Sequence, residues 1–504
     1  MKTSVARTTL IMPLTWECPG GLERLDRNLV QRKYRVGRHR HPLWVETTAH
    51  KLAAGVVDLD LVFRQVIGDP ERQGWSWRFW KLSPQACQLL FDEPKLIDRR
   101  LQKKGTVDKV VVSGMELWLI VMPFGVGMLC LRFHWPSLPL EELAEWLDTA
   151  RHVRRSKGLR GWQLGPPRVP YAERDLLRES LGETVADAVI NWTEISLKGL
   201  MKELLRVGDR DCHLRSCENQ GRLHTTLVLP EHPGEKETEW LFRASRGYGT
   251  KYATPDELVV GHLLAPRSNR RLYSTREGVI ALCWTDSSES FDSREWVNRH
   301  QGLYLLLALQ VLGESLTLSR LSSEAAHGVA KFSRLRRSGG TRSVLEAREE
   351  LRDLATKMLQ CSLALFMEDC GAVTENSIVY QGLLDLHVVR QQRAELRQDV
   401  RDLLAVVEAD HAEEVAELRE REARRDRERA DAQRRFATLL ALAGAVALPF
   451  TMAGGIFGMN FTDTMPQWHF GWVVGLTTLG SSLLAAWAWR SFARSEREEP
   501  PRRG

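Results

Sequence analysis

The sequence predicts an α+β N-terminal domain, followed by a long helical stalk and two C-terminal transmembrane helices. Three observations carry that prediction. Short apolar and β-branched runs, separated by Gly, Pro and Asp, fill roughly the first 300 residues. No proline occurs between Arg342 and Leu448, so nothing there forces a helix to break. Residues 436–457 and 470–489 hold no charged side chain, and runs of 22 and 20 residues match the thickness of a bilayer core.

The bulk properties exclude several classes. A chain of 504 residues is too long for one hydrophobic core. Its 71 basic and 65 acidic residues leave a net charge of +6, a balance that suits a membrane surface and gives no reason to expect a nucleic-acid partner. Eight cysteines spread along the whole chain lack the density of a disulfide-stapled domain and read as reduced thiols. Near the N-terminus the apolar run covers only residues 10–14 and is broken by Pro13, so no signal peptide is expected.

Within residues 1–295 the expected strands are 55–63, 110–122, 127–133, 223–229 and 278–284, in a sheet that is largely antiparallel. Leu140, Leu143, Trp146 and Leu147 recur at helical spacing over 140–153. A helical region follows over 296–435. Its first helix, rich in leucine from Leu303 to Leu318, must be buried. Gly339-Gly340 ends it, a second helix covers 343–367, and a third begins near Glu375. Residues 411–435 carry eight acidic and eight basic side chains, with Glu417–Arg421, Glu420–Arg424 and Asp431–Arg435 at the i,i+4 spacing of a solvated helix. A helix unbroken from Glu375 to Phe457 would be on the order of 120 Å long.

The first expected span is 436–457, the second 470–489, with a loop at 458–469 and a basic tail at 490–504. Arg434 and Arg435 precede the first span and Arg490, Arg494 and Arg497 follow the second, while 460–469 has no Lys or Arg. The positive-inside rule then places both termini in the cytoplasm of a multi-pass protein of the cell membrane. Trp468, Trp472, Trp487 and Trp489 lie near the span ends, where amphipathic rings favour the headgroup layer.

The first span closes with Pro449, Thr451, Gly454, Gly455 and then Gly458-Met459-Asn460. That order resembles the signature of the CorA family of magnesium and divalent-metal transporters, over about residues 436–490. The resemblance implies a homopentamer shaped as a funnel, with five copies of the first span lining a pore and the second span facing lipid. It implies that Gly458, Met459 and Asn460 form the ion-selective mouth, that Thr451, Leu448 and Leu440 line the pore, and that Asn460 holds a hydrated ion through its outer sphere. Magnesium dehydrates reluctantly, so a ring of neutral amide and carbonyl oxygens can hold it with its water in place. Leu448 and Leu440 would form apolar constrictions able to gate by dewetting. Where the family often has an acid after Met-Pro stands Gln467, leaving Asp463 as the only acid of the loop. Arg434 falls near a position that the family's pore series makes polar.

The transported ion is then Mg2+ or another divalent cation, with no bound cofactor and no enzymatic role, since neither a nucleophile elbow nor an HExxH motif is present. Alternative roles for the same scaffold are a ligand-gated effector pore and a non-conducting membrane-anchored scaffold. Basic runs at 32–40, 267–271 and 331–342 read first as solvated loops or contacts with anionic lipid, and second as a site for an anionic cytoplasmic ligand of the N-terminal domain. Cys212, His213 and Cys217 lack the second pair that a zinc site needs, and Gly247-Tyr248-Gly249 reads as a turn.

Overall fold

The computed structural model describes residues 2–31, 33–36, 39–53, 77–91, 95–103, 106–152, 160–163, 194–195, 204–205, 212–216, 220–246, 262–263, 269–285, 290–338, 341–365 and 374–458, and, of 471–490, all but 473, 474, 477, 478, 481, 485 and 488. The chain divides into two compact units, Met1–Ala405 and Val406–Gly504.

The first unit is built on a mixed sheet. Among the described residues, ten strands join in the order β14-β15-β16-β13-β1-β9-β8-β5-β4, with β12 pairing the end of β1; the outer members are β4 (Trp44–Thr47), β5 (Arg78–Leu82), β14 (His262–Leu263) and β15 (Arg270–Thr275). The central members are β1 (Val5–Glu17), β8 (Ser113–Met122), β9 (Val126–His134), β13 (Arg222–Leu229) and β16 (Gly278–Trp284). Every pairing in this sheet is antiparallel except β13 with β16, which is parallel, in accord with the largely antiparallel expectation. The expected strands 110–122, 127–133, 223–229 and 278–284 correspond to these elements, and 55–63 lies outside the described residues.

The central strand is one that the sequence reading passed over. β1 pairs with β9 along Arg7↔His134 to Thr15↔Val126, and on its other side with β13 up to Ile11↔Arg222 and with β12 (His213–Ser216) from Leu14↔Ser216. Pro13 falls in the gap between those two partners, where the missing N–H leaves no ladder bond unmade on that side.

One face of the sheet holds the main core. Leu10, Met12 and Leu14 of β1 pack there with Leu143 and Leu147 of α4 (Leu140–Arg151) and Trp240 and Leu241 of α5 (Glu237–Arg246). At about 25 cal/mol per Å2 each such side chain contributes roughly 2 kcal/mol. The other face is covered by α6 (Ser290–Arg299), a π-helical turn (His300–Tyr304) and α7 (Leu305–Ser338). Gly313 permits the approach of α7, since a Cβ there would meet the Met122 sulfur at 2.2 Å. Among the described residues one helical stretch, Arg294–Leu335, is long and apolar enough to cross a membrane, but 78% of its apolar window is buried in the fold. It is a core helix, as its leucine content predicted.

α8 (Thr341–Leu365) packs along α7 through buried Leu351, Leu354 and Met358. The expected rod from Glu375 is interrupted. α9 (Thr374–Leu386) stops at a corner where Val388 takes φ 58°, and α10 (Val389–Gly458) then runs unbroken for 70 residues. A β-branched residue in the left-handed region is costly and no helix propagates through it; periodicity alone gives no sign of such a corner.

The reading of all cysteines as reduced thiols is also corrected. The pairing Glu17↔His213 brings the next residues, Cys18 and Cys212, to 4.2 Å between Cα atoms, and a disulfide joins them. A separation of 194 residues hides that proximity from any spacing argument.

Candidate functional site

The implied pore residues Leu440, Leu448, Thr451 and Gly458 all lie on α10. At about 100° per residue Thr451 projects roughly 20° and Leu448 roughly 80° from Leu440, and Gly458 returns to the line of Leu440. Gly444 and Gly455 fall within the same arc, and a Cβ on either would touch nothing within 4 Å. The stripe is therefore narrow, uncharged and open. Upstream, Gln433 lies about 20° from Leu440, whereas Arg434 is rotated about 120° away.

Within the second unit the apolar side chains of Phe436, Leu439, Leu440 and Leu448 are exposed. Leu440 is 64% exposed and Leu448 59%. Every described position from 471 to 490 is helical and exposed, including Trp472, Trp487 and Trp489. The Thr451 hydroxyl donates to the carbonyl oxygens of Leu448 at 2.9 Å and Ala447 at 3.3 Å, which leaves its oxygen lone pairs outward. Of the solvated pairs expected on the charged stretch, Arg421–Glu417 and Arg424–Glu420 close at 3.2 and 2.8 Å. Met459, Asn460 and Asp463 lie outside the described residues, as do Gln467, Cys217 and the turn at 247–249. Cys212 is held by Cys18 and offers no thiolate to a metal.

The first unit contains a polar constellation that the sequence reading missed. The registers Arg7↔His134, Thr9↔Arg132 and Arg132↔Glu116 place one row of polar side chains across β1, β9 and β8. They open on a cavity of about 420 Å3, closed at its rim by Lys51 of α2 (Ala49–Leu52) and at its floor by Gln301 of the π turn. Arg132 is 8% exposed and donates through Nη2 to the carbonyl oxygens of Gln301 at 2.8 Å and Leu52 at 3.1 Å. Arg7 donates through Nε to His134 Nε2 at 2.6 Å. Burial, then the Arg7 charge, holds His134 below the usual imidazole range, so the ring accepts from Arg7 as a neutral base. Burial opposes the charge of Glu116, but the Lys81 ammonium at 2.6 Å and the Arg132 charge outweigh it and keep the carboxylate ionised.

Three side chains of the basic runs at 267–271 and 331–342 are engaged within the fold. Arg271 pairs with Glu237 at 2.8 Å, Arg270 lies over the Trp296 ring and Lys331 pairs with Glu350 at 2.6 Å. The available signal for the constellation was Arg132-x-His134, two polar residues at i,i+2 inside an otherwise apolar strand.

These features define the class: a mixed α/β unit joined in sequence to a long helix that exposes Phe436, Leu439, Leu440 and Leu448 near its end. Residues 377–494 match the family model described as CorA-like Mg2+ transporter protein, so this segment, which takes in α10, carries a CorA-like domain and supports a divalent-cation transporter as the broad function. No curated protein matches the chain.

Proposed function

We propose that the chain is a subunit of a homopentameric CorA-like channel that passes hydrated Mg2+ across the cell membrane. One observation carries the reading: the segment that matches the family contains a helix whose uncharged end, residues 436–457, exposes Phe436, Leu439, Leu440 and Leu448 and runs in sequence into Gly458-Met459-Asn460. Lipid and four further copies of the same helix are the covering that such a surface calls for. In this arrangement 470–489 is the second span, with both termini in the cytoplasm.

Each group on the proposed lumen face has a physical role. Five Asn460 amides supply neutral oxygens to the water shell of the ion, and the Thr451 lone pairs contact the same shell deeper in. Leu448 and Leu440 narrow the path where it can dewet. Asp463 draws cations toward the mouth. With Gln433 on the stripe and Arg434 off it, five guanidinium groups need not point into the lumen.

The test is flux into liposomes with Mg2+, Zn2+, Co2+ and Ni2+ in turn. Mg2+ flux is expected in the parent protein, and Asn460→Ala is expected to abolish it or remove its selectivity while the assembly keeps its mass. Unchanged flux and selectivity in the variant would remove Asn460 from the mouth.

A further inference from the structure

We infer that the cavity between β1, β9, β8 and the π turn is a binding site for a small phosphate-bearing solute of about nucleotide size. The inference does not depend on transport by the second unit.

Charge comes first. Among the described residues Arg7, Lys51 and Arg132 line the cavity against one carboxylate, Glu116, which already bonds Lys81. Glu116 approaches Arg132 no closer than 3.7 Å. His134 is neutral and adds no compensating charge. Three cations gathered in one partly enclosed space repel one another at reduced dielectric, and an anion relieves that repulsion.

Hydrogen-bonding capacity points the same way. Arg132 Nε is buried with no hydrogen-bond partner among the described residues, although its Nη2 is fixed by two carbonyl oxygens. A buried unpaired donor on a charged group is costly, and in a native fold it calls for an acceptor. Among the described residues Arg7 is engaged through Nε, and the exposed Lys51 ammonium stands at the rim. Guanidinium forks and an ammonium converging on one space match the several acceptor oxygens of a phosphate better than the two of a carboxylate.

The backbone is irregular at this place on two sides. The β8–β9 ladder shifts register between Ser113 and Glu116, with Gly114 at φ +60° lying against the His134 ring. The opposite wall is the π turn, which aims Gln301 inward; its amide is held by Thr9 at 2.9 Å and Thr226 at 2.7 Å. Bulges and π turns interrupt regular hydrogen bonding and recur where a fold shapes a site. A volume of about 420 Å3 exceeds what a bare inorganic ion needs and suits a small organic molecule.

The experiment is calorimetric titration of the full chain in detergent with inorganic pyrophosphate, ADP and dihexanoyl phosphatidylglycerol. Saturable binding of at least one probe, weakening as salt rises, is expected. ADP or pyrophosphate alone assigns a soluble source, the lipid alone assigns a headgroup, and either result upholds a phosphate site. Lys51→Gln at the exposed rim should weaken binding about tenfold and Arg132→Gln more, while Glu116→Gln should tighten it several-fold by removing the opposing charge. No saturable binding of any probe up to about 1 mM, or equal binding in the parent, Lys51→Gln and Glu116→Gln proteins, overturns the inference.

Discussion

His224 and His300 stack with ring centroids 4.0 Å apart and no exposed surface. The His224 Nε2–H donates to the His300 carbonyl at 2.9 Å, and the His300 Nδ1 pairs with the Thr226 hydroxyl at 2.5 Å. Burial, with the Arg132 charge adding to it and the hydrogen bond to the His300 carbonyl opposing it, lowers the pKa of His224 to about 4, and burial together with the His224 charge drives that of His300 well down. His387 is lowered to about 3 by burial and by the charges of Arg222 and Arg276. The unfolded chain takes up these protons near pH 6.5 and the folded chain does not. Stability is therefore full above about pH 6.5 and is lost as pH falls toward the folded values, by up to about 1.4 kcal/mol per pH unit for each histidine. Thermal melting of the full chain between pH 7.5 and 4.5 should show the melting temperature falling below pH 6.5, and His224→Asn should flatten that slope. A melting temperature independent of pH in this range would contradict the assignment.

At the level of elements, the corner at Val388 turns the chain into α10, and one ion pair fixes the start of that helix. Glu314 of α7 has no exposed side-chain surface and meets Arg393 of α10 through both carboxylate oxygens, one at 2.9 Å from Nη2. Glu314→Ala would strand the Arg393 guanidinium in the interior, at a cost of about 3 kcal/mol. Restoring neutrality with Arg393→Met in the same protein should recover most of that loss, and denaturant titration of the two variants measures both. The same elements show what a sequence can disclose. Leu303 to Leu318 announced a buried helix because burial leaves its mark on composition, and β9 and β16 were legible as short apolar runs. β1 was not, because Pro13 reads as a breaker unless its neighbours are known to change at that residue. The Cys18–Cys212 bond and the polar row of Arg7, Arg132 and Glu116 are products of strand register across distant segments, of which the alternation Arg132-x-His134 is the one local trace. That Leu440, Leu448 and Thr451 share one side of a helix follows from their spacing alone, whereas their role rests on the family resemblance.

For the molecule as a whole, the decisive quantity is how many chains meet at the uncovered helix. A single α10 leaves Phe436, Leu439, Leu440 and Leu448 exposed, and the second expected span leaves Trp472, Leu476 and Leu483 exposed in the same way. Lipid alone could cover both, but it would not explain why glycines at 444 and 455 share an arc with Leu440, since small residues on one face let helices approach closely or leave room for an ion. A symmetric ring satisfies both requirements, because the stripe then faces the axis and the remaining apolar surface faces neighbours and lipid. Light scattering of the detergent-solubilised full chain should give five chain masses after subtraction of detergent. Replacing Gly444 by Leu adds five bulky side chains to the proposed lumen; it should leave that mass unchanged and reduce flux in the liposome assay by at least about tenfold if the stripe lines the path. A monomer, or a pentamer whose flux ignores Gly444→Leu, would mean that the ions do not pass along this face of α10.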